Sequence, residues 1–334
     1  MNLFKKLTAT VAVLTLTFSL AACAGGDDDE IILSAGDWES VQIHNEIAMY
    51  IMDHGYDQAA EQVIADTPAQ VSALRNGSFQ VLTEMWAANV STYNADIAAG
   101  EYHEVSVNFI DPGQGLYIPK YLQDPKYLQD SEGIYTLQDL EGKSDLFQHP
   151  EATGDKGLVF GGPEGWAATD FFNTKFSNEG DYPELSENFE FYPMGSTAVL
   201  NQRLQQAYDN EEPWVGYHWA PTWPHAVMDL VFLEDELDYV AEDHETRAVG
   251  DLPAGNVTVV VTDGFEEDYP EIFDFFSNYS TSTTITSAVI NYAQGEGIEN
   301  RDAAIWFLNE YEDVWTEWVP QNIEDKVLDA LASE

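Results

Sequence analysis

Cysteine and positive charge are what this sequence has least of. One Cys stands among 334 residues, so no internal disulfide can form. Lys and Arg together number 12, against 60 Asp and Glu, a formal −48. Nucleic acid is excluded as a partner, because gripping its phosphates needs clustered basic side chains. Arg75 and Arg203 fall within expected helices, and so few arginines leave little for an Arg clamp on a carboxylate. That argues against ordinary amino-acid or dicarboxylate binders.

Signatures of chemistry are missing too. The glycines at 161–165 have no Gly-Lys-Ser/Thr after them, so a phosphate-cradling loop is not supported. No His-Glu-x-x-His run occurs and the seven histidines are scattered, which leaves a zinc site without backing. Asp27-Asp28-Asp29-Glu30 lacks the order of a calcium loop, and Gly-x-Ser-x-Gly is absent. Among 60 acids a chance pair of carboxylates carries no weight as a glycosidase signature. No enzymatic activity, metal or cofactor is expected.

What is present is ample material for a core. Hydrophobic residues make up 44% and aromatics 13%, so the acidity is not that of a disordered chain. The length exceeds what one core usually serves, and two lobes are expected. Residues 1–22 read as a signal peptide, with Lys5 and Lys6 ahead of an apolar run too short to span a bilayer comfortably. Leu20-Ala21-Ala22-Cys23 resembles the bacterial lipobox, which makes Cys23 the lipidated first residue of the mature chain and ties it to a membrane. Residues 23–30 then form a flexible acidic tether.

From Ile31 the pattern alternates strand and helix. Ile31-Ile32-Leu33 is strand-like, and a helix follows near Ser40 with Ile43, Ile47, Tyr50 and Ile51 on one face, stopping at Gly55. A second strand falls at Gln62–Ala65, and Thr67-Pro68 start a short helix. Phe79–Met85 is the third strand. This spacing argues for parallel sheets flanked by helices, an α/β fold. A loop-rich stretch at 119–155 carries the crossing into a second lobe. There Leu158–Phe160, Phe189–Tyr192 and Trp214–Trp219 are strands, with helices near Ala167 and after Ser196. The expected division is 31–118 and 229–334 for the first lobe and 119–228 for the second. A strand at Val257–Val261 and helices near 267–278, 283–293 and 300–317 complete the first lobe.

Four tryptophans sit where open α/β sheets keep their ligands, at strand ends and strand-to-helix loops: Trp38, Trp86, Trp166 and Trp219. Any one of them serves equally well as a cap on the core, but four at equivalent places are a set. Glu84 shares a strand face with Trp86. Trp306, Trp315 and Trp318 lie on one helical stretch and read as packing residues.

Together Trp38-Glu39-Ser40, Glu84-Met85-Trp86, Gln114-Gly115-Leu116-Tyr117-Ile118-Pro119, Gly162-Pro163-Glu164-Gly165-Trp166, the run Glu212 to Trp223 and the lipobox resemble the glycine betaine/choline-type substrate-binding lipoproteins of ABC importers. The likeness spans about residues 31–235. It implies a two-lobed clamshell like that of periplasmic binding proteins, each lobe a mainly parallel sheet with helices on both faces. It implies an extracytoplasmic receptor that hands a quaternary ammonium compound to an ABC permease. Glycine betaine comes first, then choline, carnitine or proline betaine. Other readings are a different small zwitterion or a secreted hydrolase.

By the same resemblance Trp86 from one lobe, and Trp166 and Trp219 from the other, form an aromatic box around the cation, with Trp38 as a fourth wall. Gln114 and His218 join the candidate ligand contacts. A carboxylate rests on the backbone N–H groups of Ala167 and Ala168, unless these simply start a helix. Glu84 either offsets the cation or orders the hinge. Two departures stand out. Val90 occupies one place where members of the family carry histidine, and Thr222 the other, leaving His218 or His225 as substitutes.

Cleaving residues 1–22 takes Lys5 and Lys6 from the 12 bases, leaving 60 acids against 10, a formal −50. At ~1 M salt the screening length shrinks to ~3 Å, so such a surface tolerates its own charge and stays hydrated. The charge points to a saline, halophilic setting.

Overall fold

The computed structural model describes residues 30–110, 113–128 and 133–334. The expected signal segment 1–22, Cys23 and nearly all of the expected tether lie outside those residues. Ten strands form two sheets. They are β1 (Ile31–Ala35), β2 (Ala60–Ile64), β3 (Val81–Trp86), β4 (Tyr102–Ile110), β5 (Gln114–Pro119), β6 (Gly157–Pro163), β7 (Phe189–Met194), β8 (Gly216–Trp219), β9 (Leu230–Phe232) and β10 (Asn256–Thr262). The first sheet runs β2-β1-β3-β10-β4 and the second β7-β6-β8-β5-β9.

The two-lobed α/β architecture is the expected one, with helices on both sides of the sheets. Both sheets are mixed. β1 pairs in parallel with β2 and β3, and β6 in parallel with β7 and β8. β10 then runs antiparallel between β3 and β4, and β5 antiparallel between β8 and β9. The antiparallel members are the strands that cross between lobes, since a chain arriving from the opposite sheet needs no helical crossover.

The strands change sheet between Ile110 and Gln114, and back between Phe232 and Asn256. Both places lie a few residues from the expected divisions at 118/119 and 228/229. Gln114–Pro119 is buried throughout because it sits between two second-lobe strands, a placement set by partners far away in sequence. The loop-rich stretch after Pro119 therefore lies within the second lobe. It is pinned to the segment after β9: Thr136 bridges to Glu234, and Leu137 N–H donates to the Glu234 carbonyl.

Helix Glu39–Tyr56 buries Ile43, Ile47, Tyr50 and Ile51, the expected face. It ends at Asp57 in the left-handed region (φ 57°), not at Gly55. Gly55 serves packing instead: a Cβ there would lie 2.6 Å from Ile323 Cγ2 of helix Gln321–Leu331. Helix Thr67–Arg75 is capped by Asp66, whose side chain accepts from Ala69 N–H at 2.9 Å, one residue ahead of the expected Thr67. Ser196 caps helix Thr197–Asn210 as expected. Trp315 and Trp318 are buried, and Trp306 stacks on Tyr292 at 4.2 Å. The chain bends between them, where helix Asn300–Glu310 stops.

Candidate ligand-binding cleft

Each lobe delivers tryptophans to the cleft by the same device, a strand that ends just before or at the ring. In the first lobe, β1 leads through Gly36 to Trp38 at the N-cap position of helix Glu39–Tyr56. A Cβ on Gly36 would lie 1.8 Å from Trp38 Cζ3, so the ring folds back over backbone that only glycine leaves open. β3 ends with Glu84, Met85 and Trp86. In the second lobe, β6 turns through Gly165 (φ 87°) to place Trp166 at the N-cap position of helix Ala167–Lys175. β8 ends with Tyr217 and Trp219 on one face.

The four strand ends meet around one cleft between the sheets. Its walls are Trp38, Thr67, Gln70, Leu82, Glu84, Met85, Trp86, Asn89, Trp166, Ala167, Tyr217 and Trp219. Trp166 meets Trp38 edge-on at 5.6 Å and 85°, a ring contact from one lobe to the other. It also lies 5.1 Å from Trp219 at 70°, and Trp219 stacks on Tyr217 at 5.6 Å. Trp86 is braced against Phe109 at 6.0 Å. In such edge-to-face contacts the positive rim of one ring meets the negative face of the next.

Glu84 is buried, and one of its oxygens organises the first-lobe wall. Oε2 accepts from Trp38 Nε1 at 2.9 Å, Ser40 Oγ at 3.0 Å and Trp86 Nε1 at 3.4 Å. Oε1 has no hydrogen-bond partner and lies 3.6 Å from His44 Nε2. Burial pushes the carboxyl up to about 7, against the opposing pull of the Trp38, Ser40 and Trp86 hydrogen bonds. His44 is buried between Tyr279 and Thr286, and burial lowers it to about 3, so it is neutral beside Glu84.

Six residues named from sequence thus converge on one cleft: Trp38, Glu84, Trp86, Trp166, Ala167 and Trp219. Three others are placed differently. Gln114 stands behind the wall, where it exchanges hydrogen bonds with Asn89 (3.1 and 3.2 Å) and accepts from Tyr217 Oη at 2.8 Å. His218 is fully buried, with Nε2 3.0 Å from Asn201 Oδ1 and Nδ1 3.2 Å from the Trp219 carbonyl. Its ring stacks on Trp219 at 5.3 Å and 22°, and it is not part of the cleft wall. Ala168 is buried inside its helix. His225 packs edge-on against Tyr117 and is not on the wall either.

Thr67, Gln70, Asn89 and Tyr217 went unnamed in the sequence reading. Tyr217 was findable, since strand alternation puts it on the face of Trp219. Gln70 and Thr67 were not, because Thr67-Pro68 reads as a helix start with nothing to aim that helix at a cleft. The four arginines pair or stack elsewhere: Arg75 with Asp96, Arg203 with Glu151, Arg247 with Asp181 and Asp243, and Arg301 over Tyr50. Asp37 bonds from the first lobe to the second, its carboxylate accepting from Thr197 N at 3.0 Å and Thr197 Oγ1 at 2.9 Å. Among the described residues no group of His, Cys, Asp and Glu is arranged to hold a metal ion, and no helix is long and apolar enough to cross a membrane.

Solved structures share the fold. A choline-binding protein of an ABC transporter, in complex with choline, superposes with a TM-score of 0.71 at 17% identity, covering 90% of this chain and 98% of its own. The glycine betaine/L-proline-binding protein of Borrelia burgdorferi gives 0.67 at 17%, covering 89% and 99%. A lactococcal protein in its closed, glycine betaine-bound conformation gives 0.66 at 14%, covering 88% and 100%. Residues 29–310 match the family model described as the substrate binding domain of the ABC-type glycine betaine transport system, and the chain belongs to that family.

Proposed function

We propose that this protein is an extracytoplasmic receptor that binds a quaternary ammonium compound and presents it to an ABC permease, without catalysis. The observation that carries this is the meeting of Trp38, Trp86, Trp166 and Trp219 with Tyr217 and Glu84 around one cleft between the sheets. A methylated cation has no N–H to donate, so ring faces and a nearby carboxylate are its natural partners. Each desolvated ring contact contributes ~0.5–2 kcal/mol, and three or four approach the ~8 kcal/mol of a micromolar binder. Glu84 is the one carboxylate on the described wall, so a pair of acids to activate water is not what this cleft offers.

Glycine betaine is the ligand we favour, with choline, carnitine and proline betaine after it. Ala167, at the start of helix Ala167–Lys175, is placed to offer its backbone N–H to a carboxylate. The lipid anchor at Cys23 and the saline setting belong to the same reading, since a compatible solute is what a cell in brine imports. Trp166→Ala and Trp219→Ala each test it: glycine betaine affinity, measured by calorimetry, falls by at least ~1 kcal/mol in each. Unchanged affinity in both would make the rings structural.

A further inference from the structure

Of the six side-chain N–H donors on the cleft wall, three are committed within the protein. Trp38 and Trp86 give theirs to Glu84, and Asn89 gives its own to Gln114. Among the other three, Gln70 is the buried amide. It is 1% exposed, it lines the cleft from the first turn of helix Thr67–Arg75, and its Nε2 has no hydrogen-bond partner. A buried amide N–H without an acceptor is destabilising to the free protein, and nearly all such groups in folded proteins are paired. Leu or Met would fill the same space at no such cost. The cleft therefore keeps a donor that the protein itself leaves unused.

We infer that Gln70 is a specificity-determining residue, donating from Nε2 to an acceptor oxygen of the ligand, which for the favoured betaine is its carboxylate. The inference rests on the receptor reading above and narrows it. A carboxylate is the acceptor that suits this donor better than a hydroxyl. A hydrogen bond to a charged acceptor is stronger than one to a neutral oxygen. No arginine reaches the cleft to neutralise the anion, so neutral donors are left to hold it. The helix that carries Gln70 already spends its own N-terminus on the Asp66 cap, so the amide side chain, not the helix end, meets the ligand. A site built around such a donor also discriminates against analogues lacking the acceptor, because the donor is then left buried and unpaired.

The test compares two ligands on two variants. Calorimetric titration uses glycine betaine, which has the carboxylate, and tetramethylammonium, which has the same cationic head and no acceptor. Gln70→Leu lowers glycine betaine affinity by about 10- to 100-fold and changes tetramethylammonium affinity by less than about 2-fold. Gln70→Glu, similar in size and still polar, weakens glycine betaine at least as much, since it sets an acceptor against a carboxylate. Ligand-free Gln70→Leu melts no lower than the parent, because removing both the donor and its unmet need costs the fold nothing. Full retention of glycine betaine binding in Gln70→Leu overturns the inference, while binding of both ligands by the parent protein leaves the receptor reading standing. Equal losses for the two ligands also overturn it, by showing that Gln70 acts through packing. Binding of neither ligand by the parent protein removes the receptor reading, and this inference with it.

Discussion

Glu84 makes cation affinity depend on pH, in a direction that follows from its surroundings. Its carboxyl is raised from 4.5 to about 7 by burial, so near neutrality about half the molecules carry a proton there. Oε1, which has no partner, is the oxygen free to hold it. A quaternary ammonium ion has no titratable proton, so choline keeps its charge at every pH. The ionised carboxylate attracts that charge and the protonated one does not, so binding expels the proton. Affinity therefore rises as pH climbs through about 7 and levels off above it. The ionised fraction is about half at pH 7 and about 1% at pH 5, which weakens choline binding by up to about 50-fold, or about 2 kcal/mol, the ring contacts setting the floor. Neighbouring groups do not mimic this. His44 is lowered to about 3 and Tyr279 is pushed well above its ordinary value, both by burial, so neither changes charge between pH 5 and 8. Glu39 is also raised to about 7, by burial and by Asp37, and Glu39→Gln is the necessary control. The assay is calorimetric titration of choline at pH 5, 6, 7 and 8, in two buffers of different ionisation enthalpy. The parent protein and Glu39→Gln show the rise and release a proton on binding at pH 6, and Glu84→Gln shows neither. Affinity constant within about 2-fold across that range, or the same slope in Glu84→Gln, would refute the reasoning.

Asp37 and Thr197 bond one lobe to the other, so the pair contributes to ligand affinity through lobe contact. A double-mutant cycle with Asp37→Ala and Thr197→Val gives a coupling of about 0.5–1 kcal/mol in glycine betaine binding; strict additivity would mean that the contact is not made in solution. The acidic surface predicts salt-dependent stability, because the screening length falls from ~10 Å at 0.1 M to ~3 Å at 1 M. The thermal midpoint rises from dilute buffer to molar NaCl, and an unchanged midpoint would count against the saline setting.

Much of the fold was legible because local signals and tertiary demands agree. The apolar face of Ile43, Ile47 and Ile51, the Ser196 cap and the valine run of β10 each specify their element without outside help. The chain's crossing strands were harder to read. Tyr102–Ile110 mixes polar and apolar residues as a sheet-edge strand does, and Gln114–Pro119 is strand only because β8 and β9 flank it. Gly55 misled for a related reason: it reads as a helix stop, yet its smallness admits helix Gln321–Leu331.

The site was legible where aromatic residues mark strand ends, and less so where polar residues decide the chemistry. Trp38, Trp86, Trp166 and Trp219 stand at positions where strand order alone requires an opening. His218 shares their segment, but it is buried between Asn201 and the Trp219 ring and does not reach the wall. Gln114 acts one layer back, holding Asn89 of the first lobe to Tyr217 of the second. Gln70 reaches the wall from a helix whose sequence says nothing of its neighbours. Its role emerges from an unmet hydrogen bond, which exists only once the fold is assembled.

The central claim is that ring faces recognise a fully methylated ammonium. Side-by-side calorimetric titration of the purified protein with glycine betaine and with glycine tests it most directly, because the two share a carboxylate and differ at the nitrogen. The account predicts micromolar or tighter binding of glycine betaine, with glycine weaker by at least ~100-fold for the loss of two or more ring contacts. Tight binding of glycine with no binding of its trimethylated form would contradict it.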